Sequence, residues 1–235
     1  MRRYIIKNMK SVNDRALIGL KIAILIGLPS AVGLIILGQP ILSLLYNSAL
    51  GDATVLIDAA IDPYVLAGDL LSTIAIGVLF LSITQTLNGV LQGLGKVHIP
   101  IISLGLGAIA KVVVGYTLMS MQSTYIFGAA LGTVACYLTA SVINLVMLKK
   151  YIGIKYSVVN LGIKPLISSI IMGAVVMLIM NFSSLIGQNM ALIISIFVGI
   201  VVYVLALIFT KTITEQELNY FPGGHRLQKL FYRKK

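Results

Sequence analysis

The chain has 235 residues, of which 58% are apolar and only 11% charged, with a mean hydropathy of +1.01. That composition excludes a disordered chain, and a single cysteine, Cys136, excludes a disulfide scaffold. A membrane-spanning helix takes about 20 residues, so the length holds about six or seven, and the net charge of +11 must be read from where the charges fall.

Residues 1–15 form an amphipathic segment, with Ile5, Met9, Val12 and Ala16 on one helical face and Arg3, Lys7, Lys10 and Asp14 on the other. The apolar run that follows begins only after Asp14 and Arg15 and is too long for the core of a secretory signal. It is the first span, about 16–46, with Pro29 between Gly27 and Gly33 at its middle and a break expected at Gln39-Pro40. Pro29 is either the hinge of a moving helix or tolerated packing geometry.

The second span, about 66–93, follows Asp62-Pro63, and Asp69 lies near its outer, solvated end. Ser82, Gln85, Asn88 or Gly89, and Gln92 share one of its faces. These polar groups either bond neighbouring helices or line a cavity that binds sugar hydroxyls. Gly89 and Gly93 make a small-residue packing ridge on the same helix.

The third span, about 99–119, carries Lys111, about 18 Å from the cytoplasmic end at 1.5 Å per residue. Polar groups at that depth are costly and informative. Ser103, Gly107, Lys111 and Gly115 recur every four residues, so Lys111 shares a ridge with small residues and faces protein or a water-filled cavity. It is either a cation for an anionic group such as a pyrophosphate, or a structural lysine bonded to carbonyls or an amide of a neighbouring helix.

The fourth span, about 125–148, has its own ridge of Gly128, Gly132, Cys136, Ala140 and Asn144, including one GxxxG pair. The fifth and sixth spans cover about 165–182 and 191–210. Residues 211–235 form a basic cytoplasmic tail, in which Thr214 and Glu217 make a capping box and Pro222-Gly223-Gly224 breaks the chain. The basic ends either rest on an anionic leaflet or are solvated.

Of 18 Lys and Arg, six lie in the N-terminal segment up to Lys21, Lys96 lies in the second turn, four flank the fourth loop and six follow the last span. The first, third and fifth connections contain none, and the first carries Asp52, Asp58 and Asp62 instead. The positive-inside bias therefore places both termini in the cytoplasm, and the basic excess is a topology signal with no nucleic-acid partner implied. The expected fold is an all-α integral membrane domain of six helices with N-in/C-in topology.

No catalytic constellation is visible. His98 and His225 lie in a turn and a tail without metal-ligand spacing, and the few acidic residues are peripheral. No enzyme activity, metal or cofactor is expected.

The run Gln85-Thr86-Leu87-Asn88-Gly89-Val90-Leu91-Gln92-Gly93-Leu94-Gly95-Lys96 resembles the NGxLQGxGK stretch of polysaccharide-exporter-type membrane proteins. Gly27-Leu28-Pro29-Ser30-Ala31-Val32-Gly33-Leu34 is similar to that family's GLPAAVGL motif. Phe127 to Thr133, Asn144-Leu145, Thr214-Glu215 and Pro222-Gly223 through Leu227 follow in the same order. Together they resemble the stage V sporulation protein B-like branch of the oligosaccharide flippases, in the superfamily that includes lipid II flippases and multidrug extruders.

The resemblance implies two six-helix lobes around a central cavity plus two additional helices. The first four spans here then correspond to the last four of the second lobe, and the last two to the additional pair, bordering a groove for a lipid tail. The N-terminal lobe is an implied partner, encoded by the same or an adjacent gene, and the chain is a truncated product, one part of a split gene, or a fragment.

The implied activity is translocation of an undecaprenyl-pyrophosphate-linked envelope precursor across the bacterial plasma membrane by alternating access. Lys111, Gln85, Asn88 and Gln92 are its candidate cavity residues, and membrane lipids and the lipid-linked sugar its partners. The alternatives are a non-transporting membrane scaffold for spore-cortex or envelope assembly and a cation-coupled drug exporter. The latter lacks a deep carboxylate.

Overall fold

The computed structural model describes residues 2–46, 63–121, 124–153, 159–183, 187–210 and 212. The side-chain faces of the first eleven residues, the Asp52, Asp58 and Asp62 connection and the Thr214–Glu217 capping box lie outside what is described. Every long regular element within it is helical: α1 Arg2–Tyr46, α2 Pro63–Gly93, α3 His98–Met119, α4 Phe127–Ile152, α5 Lys164–Asn181 and α6 Gln188–Phe209. A single π-helical turn, Val159–Ile163, runs directly into α5. All six are long and apolar enough to cross a membrane. The chain is an all-α integral membrane protein.

Apart from the start of α1, which reaches back through the amphipathic segment to Arg2, the observed helices start and stop within three or four residues of the apolar runs in the sequence, because apolar length sets them. The local stop signals are visible too. Gly153, at φ +62, closes α4 with its N–H on the Lys149 carbonyl at 2.9 Å, the left-handed cap that glycine adopts without penalty. Lys149 and Lys150 occupy the last turn of α4, where a cation complements the helix dipole.

Helix α1 differs from expectation at one place. It runs through Pro40 without a break, as it does through Pro29. The turn before Pro40 is packed from α2: Ser72 donates to the Ile35 carbonyl at 3.0 Å, one residue before the Ile36 carbonyl that Pro40 leaves without its helical N–H, and the Gly68 Cα lies so close to Gln39 that an added Cβ would sit 2.7 Å from the Gln39 Cβ. Close packing by a neighbouring helix is one way proline is tolerated in membrane helices.

The helices form a row. In space the order is α3, α4, α2, α1 and then the α5–α6 pair. Half of the α1 span is buried, against 17% for α2 and α3, because α1 packs on both sides. One stripe, Ala16, Leu20, Ile24 and Leu28, recurs every four residues and packs with Leu87 and Leu91 of α2, Ile99 of α3 and Leu148 of α4. The opposite stripe, with Leu25 and Leu37, packs with Met172, Val176, Leu192, Tyr203 and Leu207 of the α5–α6 pair.

At the edge of the row, α3 and α4 pack through small residues. A Cβ on Gly107 would meet the Cys136 carbonyl at 2.7 Å, one on Gly132 the Lys111 carbonyl at 2.9 Å, and one on Gly128 the Met119 nitrogen at 2.8 Å. Each step of four along α3 is matched by a step of four back along α4. The backbones therefore approach more closely than any side chain there would allow.

Candidate functional site

The polar residues on α2 divide between two faces. Asn88 turns inward, where the Asn144 side-chain amide of α4 donates to its Oδ1 at 2.8 Å. Both residues are buried, and the Asn144 Oδ1 has no partner among the described residues. Nearby, Thr84 donates to the Tyr137 carbonyl at 3.3 Å, a second and longer tie between α2 and α4. Gln85, Gly89, Gln92 and Gly93 turn outward and are exposed, and nothing lies within 4 Å of a Cβ built on either glycine. Gly89 and Gly93 thus pack against no described helix of this chain, whereas Gly128 and Gly132 are packing residues.

Lys111 has a divided environment. Its carbonyl is pressed against Gly132, so the backbone is locked into the α3–α4 seam. Its side chain is exposed, and its ridge neighbours Ser103, Gly107 and Gly115 are buried. Among the described residues the ammonium has no carbonyl or amide partner of the kind a structural lysine requires. It stands among exposed Ile109, Val112 and Val113. A cation at that depth needs water, a partner chain or an anion.

Lys21 is the reverse case. The sequence groups it with the terminal cations, yet only 8% of it is exposed and it is engaged within the structure. Its position past the start of the α1 span was the available signal. Asn144 was legible only as one member of a small-residue ridge; its role as the partner of Asn88 depends on the parallel register of α2 and α4.

Two hollows open on α1. One, about 350 Å³, is lined by Gly19, Ile22, Ala23 and Ile26 with Ser82 and Thr86 of α2. The other, about 220 Å³, is an apolar groove running from Pro29 and Gly33 of α1 to Met172 and Val176 of α5 and Ser195 and Gly199 of α6. At the head of that groove Pro29 lacks the N–H that would bond the Leu25 carbonyl. The Tyr203 hydroxyl of α6 donates to that carbonyl at 2.7 Å, and Ser30 donates to the Ile26 carbonyl at 2.7 Å. Tyr203 carried no signal in the sequence except its place in an apolar span.

At the turn joining α2 and α3, Lys96 lies over the Tyr151 ring at 5.0 Å from its centroid, a cation–π contact that ties the turn to the end of α4. No group of three metal-ligating side chains occurs among the described residues. Among the described residues the arrangement offers a cation, amides and apolar grooves, a set that can bind and guide a solute.

The chain is 24% identical over 241 aligned residues to an uncharacterized membrane protein, YabM, of Bacillus subtilis (strain 168). That alignment covers 97% of this chain and 41% of the relative, so the chain spans about two fifths of the length of the curated protein it matches. No solved structure matches. Residues 2–117, which hold α1, α2 and nearly all of α3, match the MatE family. Over its first three helices the chain is therefore similar to the MatE family, within a multi-pass membrane protein.

Proposed function

We propose that this chain is the C-terminal part of a flippase for a lipid-linked oligosaccharide or polysaccharide precursor. Lys111 carries the reading: a cation near mid-span, its backbone fixed by Gly132 and its side chain turned away from every described helix. Such a group suits a pyrophosphate passing through a cavity closed by further helices of the same assembly. The exposed Gln85 and Gln92 of α2 supply amides for sugar hydroxyls. Asn88 leaves the candidate set of direct contacts, because its amide oxygen is taken by Asn144, and it becomes a residue that holds α2 on α4.

The apolar groove between α1 and the α5–α6 pair suits the carrier's hydrocarbon tail. Both termini are cytoplasmic in this reading, with the protein in a bacterial plasma membrane and the remaining lobe supplied by the same or a neighbouring gene. The MatE match of residues 2–117 supports membrane export in general. The lipid-linked substrate rests on the sequence motifs and on Lys111.

The test is translocation of a fluorescent lipid-linked oligosaccharide in proteoliposomes holding the chain with the rest of its assembly. Lys111→Ala is expected to lower the rate and Lys111→Arg to retain it. Full activity in the alanine variant overturns the proposed role of Lys111.

A further inference from the structure

We infer that Tyr203 is a latch on a hinge in α1, and that through it the α5–α6 pair controls how the groove beside Pro29 opens. A proline inside a helix removes one amide and pushes on the carbonyl four residues back, which here belongs to Leu25. In a membrane that carbonyl needs a partner from outside its own helix. The partner is Tyr203, 178 residues further along the chain, at 2.7 Å and only 8% exposed.

Three further observations turn a packing bond into a latch. First, the groove begins at Pro29 and Ser30, and no described atom lies within 4 Å of a Cβ built on Gly33, so α1 has space to bend beside its weakest point. Second, a further polar tie between α1 and α6, Gln188 to Ser43, is long at 3.5 Å and sits at the exposed ends of both helices, far from the Leu25–Tyr203 bond. Third, the Ser169 side chain of α5 lies beside Tyr203, and because its own proton goes to the Pro165 carbonyl at 2.9 Å its oxygen is left to accept from the phenol.

When α1 bends, the Leu25 carbonyl moves with it, while Ser169 travels with Tyr203 on the α5–α6 pair. The phenol then keeps one hydrogen-bond partner in both positions. The closed position holds Tyr203 on Leu25, and the open one holds it on Ser169. Pro29 makes the second position accessible. An alanine there would give the Leu25 carbonyl its own helical N–H and remove the need for the latch.

The experiment uses the whole chain in lipid nanodiscs with Cys136→Ser and spin labels at Ile35 of α1 and Phe197 of α6, both exposed. Tyr203→Phe is expected to add a second distance population and to speed amide exchange at residues 30–36 by about fivefold, the shift one net hydrogen bond supports. In a Pro29→Ala background the same substitution is expected to change neither readout. Ser169→Ala, which removes the second seat, is expected to slow that exchange. A Tyr203→Phe distribution superimposable on the native one overturns the inference. So does an equal effect with and without Pro29, or unchanged exchange in Ser169→Ala.

Discussion

The Asn144 amide reaches from α4 to the Asn88 Oδ1 on α2, 2.8 Å away and 56 residues earlier in the chain, with both side chains buried. Interhelical bonds of this kind average about 0.6 kcal/mol in membrane proteins and reach about 1.7. The Asn144 Oδ1 has no described partner, which lowers what the pair contributes. A double-mutant cycle of Asn88→Ala and Asn144→Ala, read by thermal unfolding in lipid nanodiscs, is expected to show a coupling of about 0.5–1 kcal/mol. Strict additivity would show that the pair orients the helices without stabilising them.

The glycines predict a ranking. Gly132→Ala sets a Cβ against a backbone carbonyl at 2.9 Å, which cannot move aside without separating α3 from α4. The expected cost is about 1–3 kcal/mol. Gly173→Ala meets only the tips of Val32 and Ile36, at 2.9 and 3.0 Å, and side-chain tips can shift, so its cost is smaller. Gly89→Ala meets nothing and is expected to leave stability unchanged or raise it. Unfolding temperatures in one lipid system check the order, and a costly Gly89→Ala would contradict it.

At Gly153 the prediction concerns backbone conformation, since no neighbour lies within 4 Å of an added Cβ. Its φ of +62 is left-handed, which costs a residue with a side chain about 1–2 kcal/mol. Gly153→Ala is expected to destabilise by about that amount, while Gly162→Ala, in an equally open site without positive φ, is not. Chemical denaturation of the two variants side by side separates conformation from contact.

Lys111→Leu is expected to leave the unfolding temperature unchanged or raise it, because the exposed ammonium has no described partner to lose. The same variant is expected to lower translocation, as the alanine variant does. Loss of both stability and transport would assign Lys111 a structural role after all, and the paired measurement distinguishes the outcomes.

The spans were legible because each is a long apolar run, and a run of 18 or more residues reads the same whatever it packs against. The ridges of α3 and α4 were legible because small residues at steps of four favour close helix packing, although Gly89 and Gly93 of α2 have the same spacing and meet no described helix. Which side of α2 would be buried was not. Asn88 and Gln85 are both amides three residues apart, and only the register between α2 and α4 decides that Asn88 turns inward. Pro40 misled because the sequence shows the missing amide but not Ser72 and Gly68, which pack from α2 against the turn before it. Tyr203 was hidden for a related reason. Its value comes from a carbonyl on another helix, and nothing in its own neighbourhood records that.

The separation of Leu25 and Tyr203 along the chain has a consequence for biogenesis. Ribosomes add about 5–20 residues per second, so the 178 residues between the two take about 10–35 s to make. Until α6 arrives, the Leu25 carbonyl lacks this partner and the α1 stripe of Leu25 and Leu37 lacks the α6 part of its packing. Maturation of the first helix therefore waits on the last. Crosslinking between α1 and α6 in ribosome-stalled chains of increasing length should appear only once α6 has left the ribosome.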